Sequence, residues 1–280
     1  MAVRIVTDST SDIPPSIAHG LGISVVPLSV IFGDEAFREG IDITHDLFYE
    51  KLVRSRALPT TSAPSVGDFL SVYRPLLKEA DEIVSIHISS KLSATYSNAC
   101  QAARQLSDEG ARIEVLDSQS VSFGLTFLAA AAARAAADGA GIDAIRELVE
   151  GMVPRVRIIV VLDTLEYLRR GGRIGRARAY LGAVLRVKPL LSIRDGEVHP
   201  EERIRTKSHA LDRIFQIVTS YRVKEAAIGY STNAQEAEDL KRRLEGALNG
   251  VTVHVQRLGP VIGVHAGPGV IGVGVLEEEQ

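Results

Sequence analysis

A chain of 280 residues, 45% apolar and 24% charged with a formal net charge of −3, has the composition of a compact water-soluble protein, which excludes disordered and membrane-spanning classes. At roughly 150 residues per domain, that length predicts two domains. The acidic balance argues against a general polyanion binder, and the one cysteine, Cys100, excludes an internal disulfide framework and reads as a buried structural thiol in a reducing compartment.

The start, MAVRIVTDSTSDIPP, lacks the charged lead, apolar stretch and cleavage site of a secretory signal, so a cytoplasmic protein is expected. VRIVTD, ISVVPLSVIF, EIVSIHIS and RIEVLDS read as β-rich runs, alternating with amphipathic stretches. That alternation predicts an N-terminal three-layer α/β/α domain over residues 1–155 with a mostly parallel sheet. Ser65 is placed as the N-cap of a helix carrying Phe69, Val72, Tyr73, Leu76 and Leu77. FGLTFLAAAAARAAADG is too alanine-rich and too short to cross a bilayer, and reads as a packed helix. From residue 156 to 280 strands come in closer succession: RIIVVLD, VKPLLSI, GEVHPEERIR, AAIGYS and VTVHVQRLG, with helices at SHALDRIFQIVTS and NAQEAEDLKRRLEGAL. RDG at 194–196 is a hairpin signal. A C-terminal two-layer α/β domain with a mixed sheet is expected there.

In parallel α/β sheets a ligand sits beyond the carboxyl ends of the strands. TDSTSD at 7–12 and SSKLSATYSN at 89–98 place two hydroxyl-rich loops at that edge, and Thr60, Thr61 and Ser62 form a third cluster. His265 stands in GPVIGVHAGPG, read as a glycine-proline loop between apolar strands whose glycines permit close approach to a ligand. No HExxH, CxxC, GxSxG or GxxxxGK[ST] occurs, so the sequence predicts no metal site, no hydrolase nucleophile and no nucleotide loop. The stretch TLEYLRRGGRIGRARAYLGAVLRVKPLL concentrates Arg169, Arg170, Arg173, Arg176, Arg178, Arg186 and Lys188, which fits a solvated face, a nucleic-acid patch or a docking surface.

VTDSTSDIP, TSAPS at 61–65, SSKLSATYSNA at 89–99, VLDS at 115–118, LEYLRRGGRIG at 165–175, KPLLSIRDGEV at 188–198 with Arg205 and Thr206, and GPVIGVHAGPG at 259–269 follow one another in an order that resembles the DegV family from end to end. The resemblance implies a long-chain fatty acid held between the two domains, with no cofactor. It also implies a separate dihydroxyacetone-kinase-like subunit that phosphorylates the acid to an acyl phosphate, as with the FakB-type subunits of bacterial fatty acid kinase. Such a chain would itself be no enzyme, would bind no nucleic acid, and is expected to be a monomer.

By the same resemblance the carboxylate contacts fall on Thr61, Ser62, Ser93, Thr95 and His265. Arg205 falls near the mouth, and Arg170 and Arg173 border the docking face. The sequence departs from the family pattern at Ala63, Ala94, Val264 and Ala266. Two other readings stay open: a small-carbonyl enzyme using His265, and a nucleic-acid-binding regulator using the arginines of 169–188.

Overall fold

The computed structural model describes residues 2–55, 57–181 and 187–279. Strand β1 (Val3–Asp8) is followed by α1 (Pro15–Gly20) and β2 (Ile23–Val26). The run ISVVPLSVIF, expected as one strand, divides at Pro27, where the missing amide N–H interrupts a ladder. β2 stays beside β1, whereas β3 (Ser29–Phe32) turns away to pair antiparallel with β4 (Glu35–Arg38). After α2 (His45–Arg54), β5 (Thr60–Ser62) joins the free edge of β3, making a small sheet, β4-β3-β5, that the sequence did not announce.

Helix α3 (Val66–Leu76) starts at the expected N-cap: Ser65 Oγ accepts from Asp68 N, and Asp68 Oδ2 accepts from Ser65 N at 2.7 Å, a complete capping box. β6 (Glu82–His87), α4 (Thr95–Ser107), β7 (Arg112–Asp117), α5 (Phe123–Ala137) and α6 (Ile142–Met152) complete this part. The sheet order is β2-β1-β6-β7, parallel throughout. All six residues of β6 are buried, as a central strand covered on both faces requires. One face packs on Phe69, Tyr73, Ala99 and Leu106 of α3 and α4, the other on the apolar faces of α5 and α6. The alanines of α5 let it lie close to the sheet; nine of its residues are buried.

The C-terminal part runs β8 (Val156–Val161), α7 (Glu166–Arg170), β9 (Lys188–Arg194), β10 (Glu197–Ile204), α8 (Lys207–Val218), β11 (Val223–Tyr230), α9 (Ala234–Ala247), β12 (Val253–Arg257), α10 (Pro260–Ala266) and β13 (Ile271–Glu277). Its sheet is mixed, in the order β10-β9-β8-β13-β11-β12, with only β11 and β12 parallel. The RDG signal is the β9–β10 turn, with Asp195 and Gly196 both at positive φ, 49° and 79°. Helices α8 and α9 cover one face through Ile214, Val218, Leu240 and Leu244. The other face looks toward the carboxyl ends of the N-terminal strands, and its apolar residues join the core of α5. Among the described residues no helix is long and apolar enough to cross a membrane.

Candidate functional site

Side chains alternate across a strand. Val161, Val273 and Val275 therefore enter the α8/α9 core, while Ile158, Val160, Gly272 and Gly274 point to the opposite face. That opposite face is the floor of a cavity enclosing about 980 Å³ of empty space including its mouth. Leu191 and Ile193 of β9 extend the floor. Residues beyond the strand ends, Thr10, Ile88, Val121 and Phe123, form the roof, and Val261, Ile262 and His265 of α10 form one side. Its walls are almost wholly aliphatic, with Thr61, Ser93, His265 and Arg173 among the few polar exceptions.

Two sequence-derived candidates meet directly: Thr61 Oγ1 lies 2.8 Å from His265 Nε2. β5 brings the threonine and α10 brings the histidine, 204 positions apart in the chain. The expected glycine-proline loop around His265 is thus corrected. Pro260 presets the first helical turn, and the loop is confined to Gly267–Gly269, where positive φ at both glycines ends the helix. The other ring nitrogen, Nδ1, is buried without a partner against Gly171, where a β-carbon would collide with it. Burial, and secondarily the Arg173 guanidinium, push the His265 pKa down to about 4, so the imidazole is neutral at physiological pH.

Ser93 also lines the cavity, its Oγ 2.8 Å from Thr95 Oγ1 and accepting from Thr95 N. Thr95 is fully buried behind it and is not part of the cavity wall, so it holds Ser93 rather than facing a ligand. Ser62 is exposed and turned away, its hydroxyl on the Ala63 carbonyl, because alternation along β5 puts Thr61 inward and both neighbours outward. The sequence places Arg173 with Arg170 on a solvent-facing or docking side. The structure instead folds it into the wall, Nε donating to Leu92 O at 3.0 Å and a terminal nitrogen to Gly171 O at 2.6 Å. Arg170 and Arg205 are exposed. Cys100 is half-buried, not the sealed thiol expected.

Much of the basic stretch is neutralised locally. Arg169 and Arg170 both hold Glu166, whose pKa falls to about 2, while Arg176 pairs with Glu197 and Lys188 with Asp163. Such a face offers little field to a polyanion, which leaves the nucleic-acid reading without support. Arg186 lies outside the described residues. The small-carbonyl reading calls for a small polar pocket and meets a largely apolar one.

Sequence reasoning missed the acids behind the site. Asp12 and Glu39 are buried beside Gly259, the residue preceding α10: Gly259 N donates to Asp12 Oδ1 and Val261 N to Glu39 Oε1, each at 2.9 Å. A β-carbon at Gly259 would stand 2.5 Å from Glu39 Oε1 and 2.7 Å from Asp12 Oδ1, so only glycine fits. Burial, with each acid's carboxylate neighbour adding to it, raises Asp12 to about 7 and Glu39 to about 8. Asp8 organises the neighbouring strand ends, accepting from Thr10, from Ile88 N and, at 3.0 Å, making contact with His87 Nδ1. The TDSTSD motif marked Asp8 and Asp12, but nothing around Glu39 distinguished it from a surface glutamate. Among the described residues no group of three or more His, Cys, Asp or Glu gathers as for a metal.

The family model for DegV, "Uncharacterised protein, DegV family COG1307", matches residues 2–278. A DegV domain-containing protein of Clostridium acetobutylicum is 37% identical over 285 residues, covering 100% of this chain and 99% of its own length. A DegV family protein of Thermus thermophilus, described by its fatty acid binding, superposes with a TM-score of 0.93 at 34% identity over 99% of this chain and 100% of its own. DegV of Bacillus subtilis, described as a fatty acid binding protein, gives 0.92 at 32% identity over 99% and 100%. With the strand order, the apolar cavity and the Thr61–His265 contact in place, the chain belongs to the DegV family.

Proposed function

We propose that this chain binds a long-chain fatty acid in the cavity, its carboxylate at Thr61, Ser93 and His265, and presents that carboxylate to a separate kinase subunit. The observation that carries the reading is the lining of the site: a largely aliphatic cavity into which the paired Thr61 and neutral His265, with Ser93, bring a few polar groups. The fatty acids bound by the Thermus thermophilus and Bacillus subtilis relatives support it.

The chemistry of the two ends matches such a ligand. Each buried methylene contributes about 0.8 kcal/mol, so a chain of about sixteen carbons gains on the order of 12 kcal/mol before the cost of association. A carboxylate brought into that setting needs donors on its lone pairs. With Nδ1 of His265 unpartnered, the surroundings assign the proton to Nε2, where it is donated to Thr61 Oγ1. The Thr61 hydroxyl hydrogen is then free for the carboxylate, and Ser93 supplies a second. These neutral donors orient the carboxylate and leave it nucleophilic, which a lysine contact would not.

In this reading the chain presents a substrate and a partner catalyses. The carboxylate oxygen attacks the γ-phosphorus of ATP; the new O–P bond forms as the bridging bond to the β-phosphate breaks and ADP leaves. The nucleotide belongs to the kinase, since the chain carries no glycine-rich phosphate loop. Arg173, beside the imidazole, supports phosphoryl transfer, and the exposed Arg170 and Arg205 meet the partner.

Mass spectrometry of the freshly purified protein under native conditions tests the binding. A co-purified mass matching a C14 to C18 acid is expected, and a protein that neither carries nor takes up such an acid overturns the reading. Arg205→Glu with Arg170→Glu tests the docking: acyl phosphate formation with a dihydroxyacetone-kinase-like subunit should slow while acid binding persists, and unchanged turnover removes these arginines from the interface.

A further inference from the structure

The register of the C-terminal sheet gives the cavity an internal scale. Val160 pairs with Gly272 and Leu191, and Ile158 pairs with Gly274 and Ile193. The floor is therefore a ladder of rows two residues apart, about 7 Å per row, the length of roughly five methylenes in an extended chain. The first row, at Leu162 and Val270, adjoins the His265 end, the second is Val160 with Gly272, and the third is Ile158 with Gly274.

The two glycines of β13 meet different surroundings. A β-carbon at Gly272 would make only ordinary contacts, the nearest with Val160 Cγ2 at 3.4 Å, so the middle row has room for one on β13. A β-carbon at Gly274 would stand 2.7 Å from Phe123 Cβ, and one at Gly229 of β11 would stand 2.8 Å from Phe123 Cε2. The Phe123 side chain thus starts on Gly274 in the third row, and its ring reaches Gly229, which pairs with Gly272 in the second row. One step further, Gly124 packs so tightly on Val156 that a β-carbon there would come within 2.7 Å of Val156 Cγ1.

Phe123 is also held firmly. Ser122 before it sits at φ 55°, a conformation disfavoured for any residue with a side chain. It is fixed there by its N–H on Thr10 O at 2.8 Å and by its hydroxyl on Asp12 Oδ2 at 2.5 Å. A strained residue pinned by two buried hydrogen bonds sets where the ring begins.

We propose that Phe123 is the end-stop that sets the acyl chain length this cavity accepts, and that Gly272 leaves the space in front of its ring free. The proposal rests on the fatty acid reading above. Phe123→Ala and the milder Phe123→Leu lengthen the cavity at its closed end. Gly272→Val adds a branched side chain on a strand whose backbone accepts it, and shortens the cavity by about one row.

Purified, delipidated wild type and variants, checked for a native circular dichroism spectrum, are titrated with a series of saturated acids from C10 to C20. Phe123→Leu should move the best-bound length upward by about two carbons, and Gly272→Val should weaken the longest acids about tenfold or more while the shorter ones bind as before. Wild-type selectivity retained in both folded variants overturns the end-stop. A wild type that binds no acid of any length overturns instead the functional reading beneath it.

Discussion

The two ends of the cavity are built by different physics. At the polar end, three segments distant in sequence each contribute one group, and function depends on hydrogen-bond geometry: Thr61 from β5, Ser93 from the loop before α4, and His265 from α10. At the Phe123 end the proposed function depends on volume, decided by which rows of the β8/β9/β13 face carry a side chain, with Ser122 holding Phe123 in place. In the proposed reading the polar end selects the chemical class, and the Phe123 end selects the size. One residue joins them, since Asp12 accepts from Ser122, which positions Phe123, and from Gly259, which begins the helix of His265.

That division predicts separable defects. Thr61→Ala with Ser93→Ala removes both hydroxyl donors, each worth about 1.5–3 kcal/mol to a charged acceptor. Acid affinity should fall by a hundredfold or more while binding of the matching long-chain alcohol changes little, with chain-length preference intact. An unchanged acid-over-alcohol ratio in competition titrations would move the carboxylate elsewhere.

The link between the ends should be visible in pH. Asp12 and Glu39 have native pKa values near 7 and 8, above the values near 4 of an unfolded chain, so the native state holds protons that the unfolded state has lost. Their contribution is present below pH 4 and is lost as pH rises to about 8. His265, depressed to about 4, acts with the opposite sign between pH 4 and 6.5 and masks part of the loss there. Stability to urea should therefore decline by about 1–3 kcal/mol between pH 6.5 and 8.5. Glu39→Gln keeps the acceptor for Val261 N and should flatten much of that decline; an equally steep profile in the variant would place the titration in other groups.

Within β13, Gly274→Ala should cost about 1–3 kcal/mol through collision with Phe123, and Gly272→Ala less than about 1. Equal losses in thermal or urea unfolding would mean that the rows are packed alike. The smallest effect is expected at Ser62→Ala: its hydroxyl points outward, so stability and acid affinity should stay within about 0.5 kcal/mol of wild type. A larger loss of affinity would return Ser62 to the site.

The sequence alone determined what depends on local pattern. Unbroken apolar runs such as EIVSIH announced central strands, Ser65 with Asp68 announced a helix start, and Asp195-Gly196 announced a tight hairpin. The ordered motifs resembling the DegV family carried Thr61, Ser93 and His265 as candidates, and the structure brings Thr61 and His265 into contact and sets Ser93 on the same cavity wall. Tertiary structure decided what depends on facing. It put Ser62 outside and Thr61 inside one three-residue strand, turned Arg173 inward while Arg170 stayed exposed, and set Thr95 behind Ser93. It buried Glu39 against the backbone of a helix 222 positions away. Local pattern reports the period at which side chains alternate. Which side receives the ligand, and where Phe123 comes down on a glycine, is fixed only when two sheets distant in sequence meet.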